Sequence, residues 1–264
     1  MIEITDIRSH EEMVAAYFDR PSCERHAALD SPTEARIREV DMTWAVLGSM
    51  DELWSPRKQP DWISAEVPTA SSVADLAVIK FDASAIERRL AEHAAPVELP
   101  LRVKTLDALA HRRINQLSTL ARTVGSNPRA LTRSTIRPLE ELGWIRLEGD
   151  RVELSRDWQS VGTEVMTVEM KISDWRGALV QARSQALSAD RVWVVLPEKS
   201  DRVVASALPE FRAEGIGLAF LRPDGTIRLI AAARKQSPIR WLNFLLAETL
   251  FGQCQASRPH VIAR

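Results

Sequence analysis

Cysteine is nearly missing from this chain of 264 residues, which carries only Cys23 and Cys254, far apart in the sequence. Two such thiols make neither a disulfide framework nor the close spacing of a zinc site, and they predict a reducing, cytoplasmic setting. The histidines His10, His26, His93, His111 and His260 are scattered and never fall at His-x-x-x-His spacing, which excludes a zinc-hydrolase helix. Glycine is sparse as well. No glycine-rich phosphate loop occurs, Gly215-Ile216-Gly217 simply leads into an apolar strand, and no Gly-x-Ser-x-Gly elbow is present. No apolar run reaches the ~18 residues of a membrane span. The first residues, with Glu3, Asp6, Glu11 and Glu12, lack the basic-then-apolar layout of a secretory leader. Neither sign of charge dominates, since 35 basic and 36 acidic side chains leave a net charge of −1. Contact with a polyanion would therefore need a local basic face.

What is present is an ordinary globular composition, 45% apolar and 27% charged, in a chain long enough for two domains. Its most informative stretch is Thr167-Val168-Glu169-Met170-Lys171. On a β-strand, residues two apart share a face, so Glu169 and Lys171 stand side by side. An acid that can hold Mg²⁺ beside an ammonium that can orient water is the chemistry of metal-assisted phosphodiester hydrolysis. On an exposed strand face the same pair is commonly solvated charge. A second acid lies upstream, where residues 62–67 and 73–79 read as paired strands around turn residues 68–72. Asp75 begins the second of these, an otherwise apolar run. A carboxylate there caps its own turn or faces a cation, because burying it unpaired costs several kcal/mol, roughly.

The order helix (32–47), strand, strand with Asp75, strand with Glu169-x-Lys171, helix with Gln181 and strand (192–196) resembles the PD-(D/E)xK, restriction-endonuclease-like nucleases. The resemblance covers about residues 31–93 and 164–229. It implies an α/β fold, a mixed sheet flanked by helices. It also implies that Asp75 and Glu169 hold Mg²⁺ or Mn²⁺, and that Lys171 orients the attacking water. Gln181 would position the lysine or a phosphate, and Glu34 would be an outer acid on the first helix. Asp75 and Glu169 stand farther apart in this chain than is usual in that family, so a small domain must lie between them. Pro60-Asp61 matches the motif's first letters but precedes the first strand, and Asp157 lacks a strand leading into it.

The intervening segment is apolar at helical spacing over 113–120 and closes a helix at Gly125. A further helix runs over about 129–142, with Pro138 bending it or falling near its end. Residues 144–154 read as a hairpin about Gly149-Asp150. Helix, turn, helix and a two-stranded wing resemble a winged helix-turn-helix spanning 104–156. Between His111 and Arg137 the charged residues are all arginines: Arg112, Arg113, Arg122, Arg129, Arg133 and Arg137. The resemblance implies contact with double-stranded DNA through Arg122, Arg129, Thr132, Arg133 and Arg137, with Arg146 and Arg151 on the wing.

The tryptophans Trp44, Trp62, Trp193 and Trp241 fall in apolar periodic segments and are expected in cores, whereas Trp158 and Trp175 flank the Glu-x-Lys strand and could line a groove. The expected organisation is a first core part with N-terminal helices (1–103), an inserted winged helix-turn-helix (104–158) and a second core part with a C-terminal helix (159–264). The expected function is Mg²⁺-dependent endonuclease action on double-stranded DNA, away from membranes, with a homodimer or a protein partner open. The alternative is a non-cleaving DNA-binding regulator or a subunit of a defence or repair complex.

Overall fold

A computed structural model describes residues 39–54, 59–69, 72–198 and 206–257. It contains a six-stranded mixed sheet in the order β1-β2-β5-β6-β7-β8 and a separate two-stranded sheet, β3-β4. The large sheet comprises β1 (Trp62–Pro68), β2 (Val73–Phe81), β5 (Gly162–Met170), β6 (Arg191–Pro197), β7 (Gly217–Leu221) and β8 (Ile227–Ala231). Pairing is antiparallel from β1 through β2 to β5, parallel from β5 through β6 to β7, and antiparallel again to β8. The fold is thus α/β with a mixed sheet.

The central strands are apolar on both sides because both sides are covered. Ala77, Ile79, Val165, Val192, Val194, Leu196, Leu218 and Phe220 point into one core. It is closed by α8 (Trp175–Gln185), α9 (Leu208–Glu214) and α10 (Arg240–Ala256), the first two being crossovers between parallel strands. Leu76, Val78, Met166, Val168, Met170, Trp193 and Val195 point the other way, toward α1 (Glu39–Gly48) and α2 (Met50–Leu53). At Gly217 a Cβ would come within 2.3 Å of Trp193 Cε3, so the indole can lie flat across β7 only over glycine. The C-terminal helix expected from sequence is α10, which begins at Arg240.

Between β2 and β5 lie α3 (Ala83–Ala91), α4 (Pro100–Arg112), α5 (Leu117–Val124), α6 (Pro128–Leu131), a π-helical segment (Thr132–Ile136), α7 (Arg137–Glu141), β3 (Ile145–Glu148) and β4 (Arg151–Leu154). The helix expected over 113–120 begins only at Leu117, and α4 ends before it at Arg112. Arg113 adopts a left-handed conformation (φ 53) after α4, and Gln116 bridges to Arg151 of β4. Pro138 falls near the end of its helical run, which stops at Glu141. Its missing N–H and its ring would conflict with an α-helical turn over Ser134, and the π segment directly before α7 relieves that conflict. The turn about Gly149, with φ 63, joins β3 to β4 as expected.

This insert has its own core, from Ala94 and Val97 through Leu106, Leu120, Leu131, Ile136 and Trp144 to Trp158. Helix α4 starts at Pro100, so residue 104 lies within a helix. Phe81, at the end of β2, is register partner of Gly162, at the start of β5, and Asp82 N–H donates to Val161 O at 2.9 Å. The whole insert therefore replaces the tip of an antiparallel hairpin. Among the described residues no helix is long and apolar enough to cross a membrane.

Candidate functional site

The opposite end of that β2–β5 pair carries the candidate site. The register pairs Leu76 with Val168, and one further step sets Asp75 across from Glu169. Six residues of strand, from Phe81 to Asp75, separate it from the root of the insert, about 20 Å at ~3.4 Å per residue. Both acids lie on the face covered by α8 and α10, as strand parity requires, and Lys171 follows two residues after Glu169.

Glu169 is fully buried. Its Oε1 lies 3.1 Å from Lys171 Nζ, and its Oε2 accepts a hydrogen bond from Gln185 Nε2 at 2.8 Å. Asp75 is half-buried, and its Oδ2 accepts from the Met170 N–H at 2.6 Å. That bond fastens the two acidic strands at the site itself. Lys171 keeps 22% of its side chain exposed, and its own N–H donates to Val195 O at 3.2 Å. Burial, with the Asp75 carboxylate alongside, pushes the Glu169 carboxyl up from 4.5 to about 6, against the opposing pull of Lys171 and Gln185.

That shift has a measurable consequence for stability. Because the folded protein holds the Glu169 proton more tightly than the unfolded chain does, stability falls as pH rises through the window from 4.5 to about 6. The expected loss relative to Glu169→Gln, in urea unfolding across that window, is about 2 kcal/mol. Equal pH dependence of the two proteins would show that Glu169 is not held in this way.

The glutamine beside Glu169 is Gln185. Gln181, the expected one, lies one turn earlier and is half-buried. The helical stripe could have revealed this: Ala178, Ala182 and Gln185 fall at i, i+4 and i+7 and are all buried, whereas Gln181 flanks them. Thr167 Oγ1 and Gln185 Oε1 are buried with no hydrogen-bond partner among the described residues, so those residues leave the polar pocket around Glu169 incompletely satisfied. Glu66 occupies the β1 register slot facing Asp75 and adopts φ 52 within a strand, a strained conformation for a non-glycine residue. Nothing in its sequence context signals this. Glu34 lies outside the described residues. The other two aspartates weighed for the motif are engaged elsewhere, Asp61 with Lys80 and the Phe81 N–H, and Asp157 with Arg88.

Trp158 and Trp175, the two tryptophans that could have lined a groove, are core residues at 1% and 5% exposure. Trp158 packs edge-on against Trp144, and Trp175 lies against Phe211. In the insert, Arg122, Arg129, Arg133 and Arg137 are exposed, and none of them is in an ion pair among the described residues. Asn127 caps α6 by accepting from Ala130 N–H at 2.8 Å. The Thr132 hydroxyl donates to Pro128 O at 2.8 Å. On the hairpin, Arg146 pairs with Glu148 at 3.1 Å and Arg151 with Glu153 at 2.8 Å, so that surface is balanced in charge. No protein-family model, curated protein or solved structure matches this chain.

Proposed function

We propose that this chain is a DNA-binding protein with Mg²⁺-dependent endonuclease activity, built on a restriction-endonuclease-like core into which a winged helix-turn-helix is inserted. The observation that carries the reading is the convergence of Asp75, Glu169 and Lys171 on one sheet face across two hydrogen-bonded strands. Asp75 and Glu169 would hold the metal. Among the described residues no group of three ligating side chains occurs. Two carboxylates nevertheless fit Mg²⁺, which commonly retains waters and takes substrate phosphate oxygens as further ligands. When bound, the ion would lower the pKa of a water and offset phosphate charge.

The chain's own groups would do the rest. The Lys171 ammonium would orient the attacking water and steady the charge growing on the phosphate. Gln185 would hold the Glu169 carboxylate in place, leaving its other oxygen toward Lys171. The exposed arginines of α5, α6, the π segment and α7 would meet duplex phosphates, with the stretch that starts at Asn127 as the recognition helix. The charge-balanced hairpin would contribute less.

A second reading, a DNA-binding regulator or subunit that does not cleave, is favoured by one observation. Glu169 is fully buried and already engaged by Lys171 and Gln185. Nicking of supercoiled plasmid in Mg²⁺ and in Mn²⁺, beside a gel shift at matched salt, separates the two. Cutting supports the nuclease, and binding without cutting under every condition supports the regulator.

A further inference from the structure

We infer that the buried Arg89–Glu248 ion pair pins the insert to the sheet, so that the two move as one body and the insert's exposed arginines keep a fixed offset from the Asp75–Glu169–Lys171 face. The joint exists whether or not the chain cleaves DNA. Its use as a spacer between docking and cutting rests on the reading above.

Two chain crossings, at the ends of β2 and β5, are the covalent root of the insert. Two adjacent strand ends form a narrow hinge, and by themselves they would let the insert rock. A polar, buried contact crosses the hinge. Arg89, on α3, is 5% exposed, and Glu248, on α10, is 1% exposed. Arg89 Nη2 donates to Glu248 Oε1, and the other Glu248 oxygen accepts from the Val97 N–H at 2.8 Å, where the chain enters the insert's core. The guanidinium carbon stands 4.2 Å from the ring centroid of Trp144 and 5.2 Å from that of Trp158. One ion pair thereby ties α3, α10 and both flanks of the insert's core.

Orientation follows from the cost of mispairing. An apolar interface tolerates sliding, because burial is non-directional. A buried guanidinium and carboxylate do not, because a displacement that parts them leaves both charges in a low-dielectric interior. Helix α10 provides the second constraint. Leu246, Ala247, Leu250 and Phe251 pack in the sheet core, while Trp241, Phe244 and Leu245 pack against the insert's core. Arg240, at its start, holds the buried Asp107 of α4 at 2.6 Å. The rim pairs Arg88–Asp157 and Arg156–Glu92 are more exposed and add little.

Residual dipolar couplings of backbone amides test this without reference to cleavage. In the wild-type protein a single alignment tensor should fit amides of β2, β5, β6 and β7 together with those of α4 and α5. A wild type that needs separate tensors overturns the inference. In Arg89→Met/Glu248→Met, which keeps bulk and removes both charges, the common tensor should be lost while each part retains its own fold. A common tensor that survives shows that packing along α10 alone holds the insert, and overturns the role of the pair. Should the double variant not fold, Glu248→Gln keeps shape and acceptor and removes one charge. The same loss at smaller amplitude is then expected, and an unchanged tensor overturns the inference. Arg88→Ala, at the exposed rim, should leave the single tensor intact. Loss of that tensor in Arg88→Ala would overturn the assignment of the joint to Arg89 and Glu248.

Discussion

Lys171→Ala is expected to cut Mg²⁺-dependent plasmid nicking by about 10³-fold, the scale of losing one well-placed group that stabilises transition-state charge. Duplex affinity should be nearly unchanged, because Lys171 lies nine residues of β5, about 30 Å at ~3.4 Å per residue, from the root of the insert that would supply most contacts. A second signature accompanies the loss. Lys171 pulls the Glu169 carboxyl downward, so its removal should move the acid limb of any residual activity above pH 6. Glu169→Ala should also stop cleavage and, in addition, weaken Mn²⁺ binding, since it removes a ligand and not only a water-orienting group. Cleavage that survives both substitutions would place the active site elsewhere.

The second large effect concerns binding. Arg129→Ala with Arg133→Ala should lower duplex affinity on the order of tenfold at low salt and flatten the log–log salt dependence by about 0.9 per lost phosphate contact. Both side chains are exposed and neither is in an ion pair among the described residues, so neither substitution strands a buried partner charge. Fluorescence anisotropy over a salt series reads both quantities. Unchanged affinity and slope would reject the recognition helix. Arg146→Ala and Arg151→Ala should have smaller effects, since Glu148 and Glu153 already offset those charges within the hairpin.

The wide sequence separation of Asp75 and Glu169, nearly a hundred residues in this chain, would put their partnership in doubt if spacing decided proximity. It does not decide it here. The two strands are an antiparallel pair whose hairpin tip is the insert, so Phe81 and Gly162 meet at one end while Asp75 and Glu169 face each other at the other. Chain length at a hairpin tip does not alter the register below it, and loop-closure entropy grows only slowly with length.

From sequence alone came many of the elements: alternation and apolar runs marked β1, β2, β5, β6 and β7, a helix carrying Gln181 was placed after the Glu-x-Lys strand, and parity put Glu169 and Lys171 on one face. These are local properties, written in neighbouring residues. Tertiary structure alone decided the rest. Gln185 and not Gln181 reaches Glu169, because the pitch of α8 over β5 and β6 sets which residue points down. Pro138 sits after a π segment because the insert's core holds Ile136 and Leu139 inward on either side of the misfit. Trp158 is buried because Trp144, Phe244 and Arg89 converge on it from parts of the chain that only folding brings together. The Arg89–Glu248 pair spans a sequence distance that no periodicity can register, and it forms because α10 is packed by two cores at once.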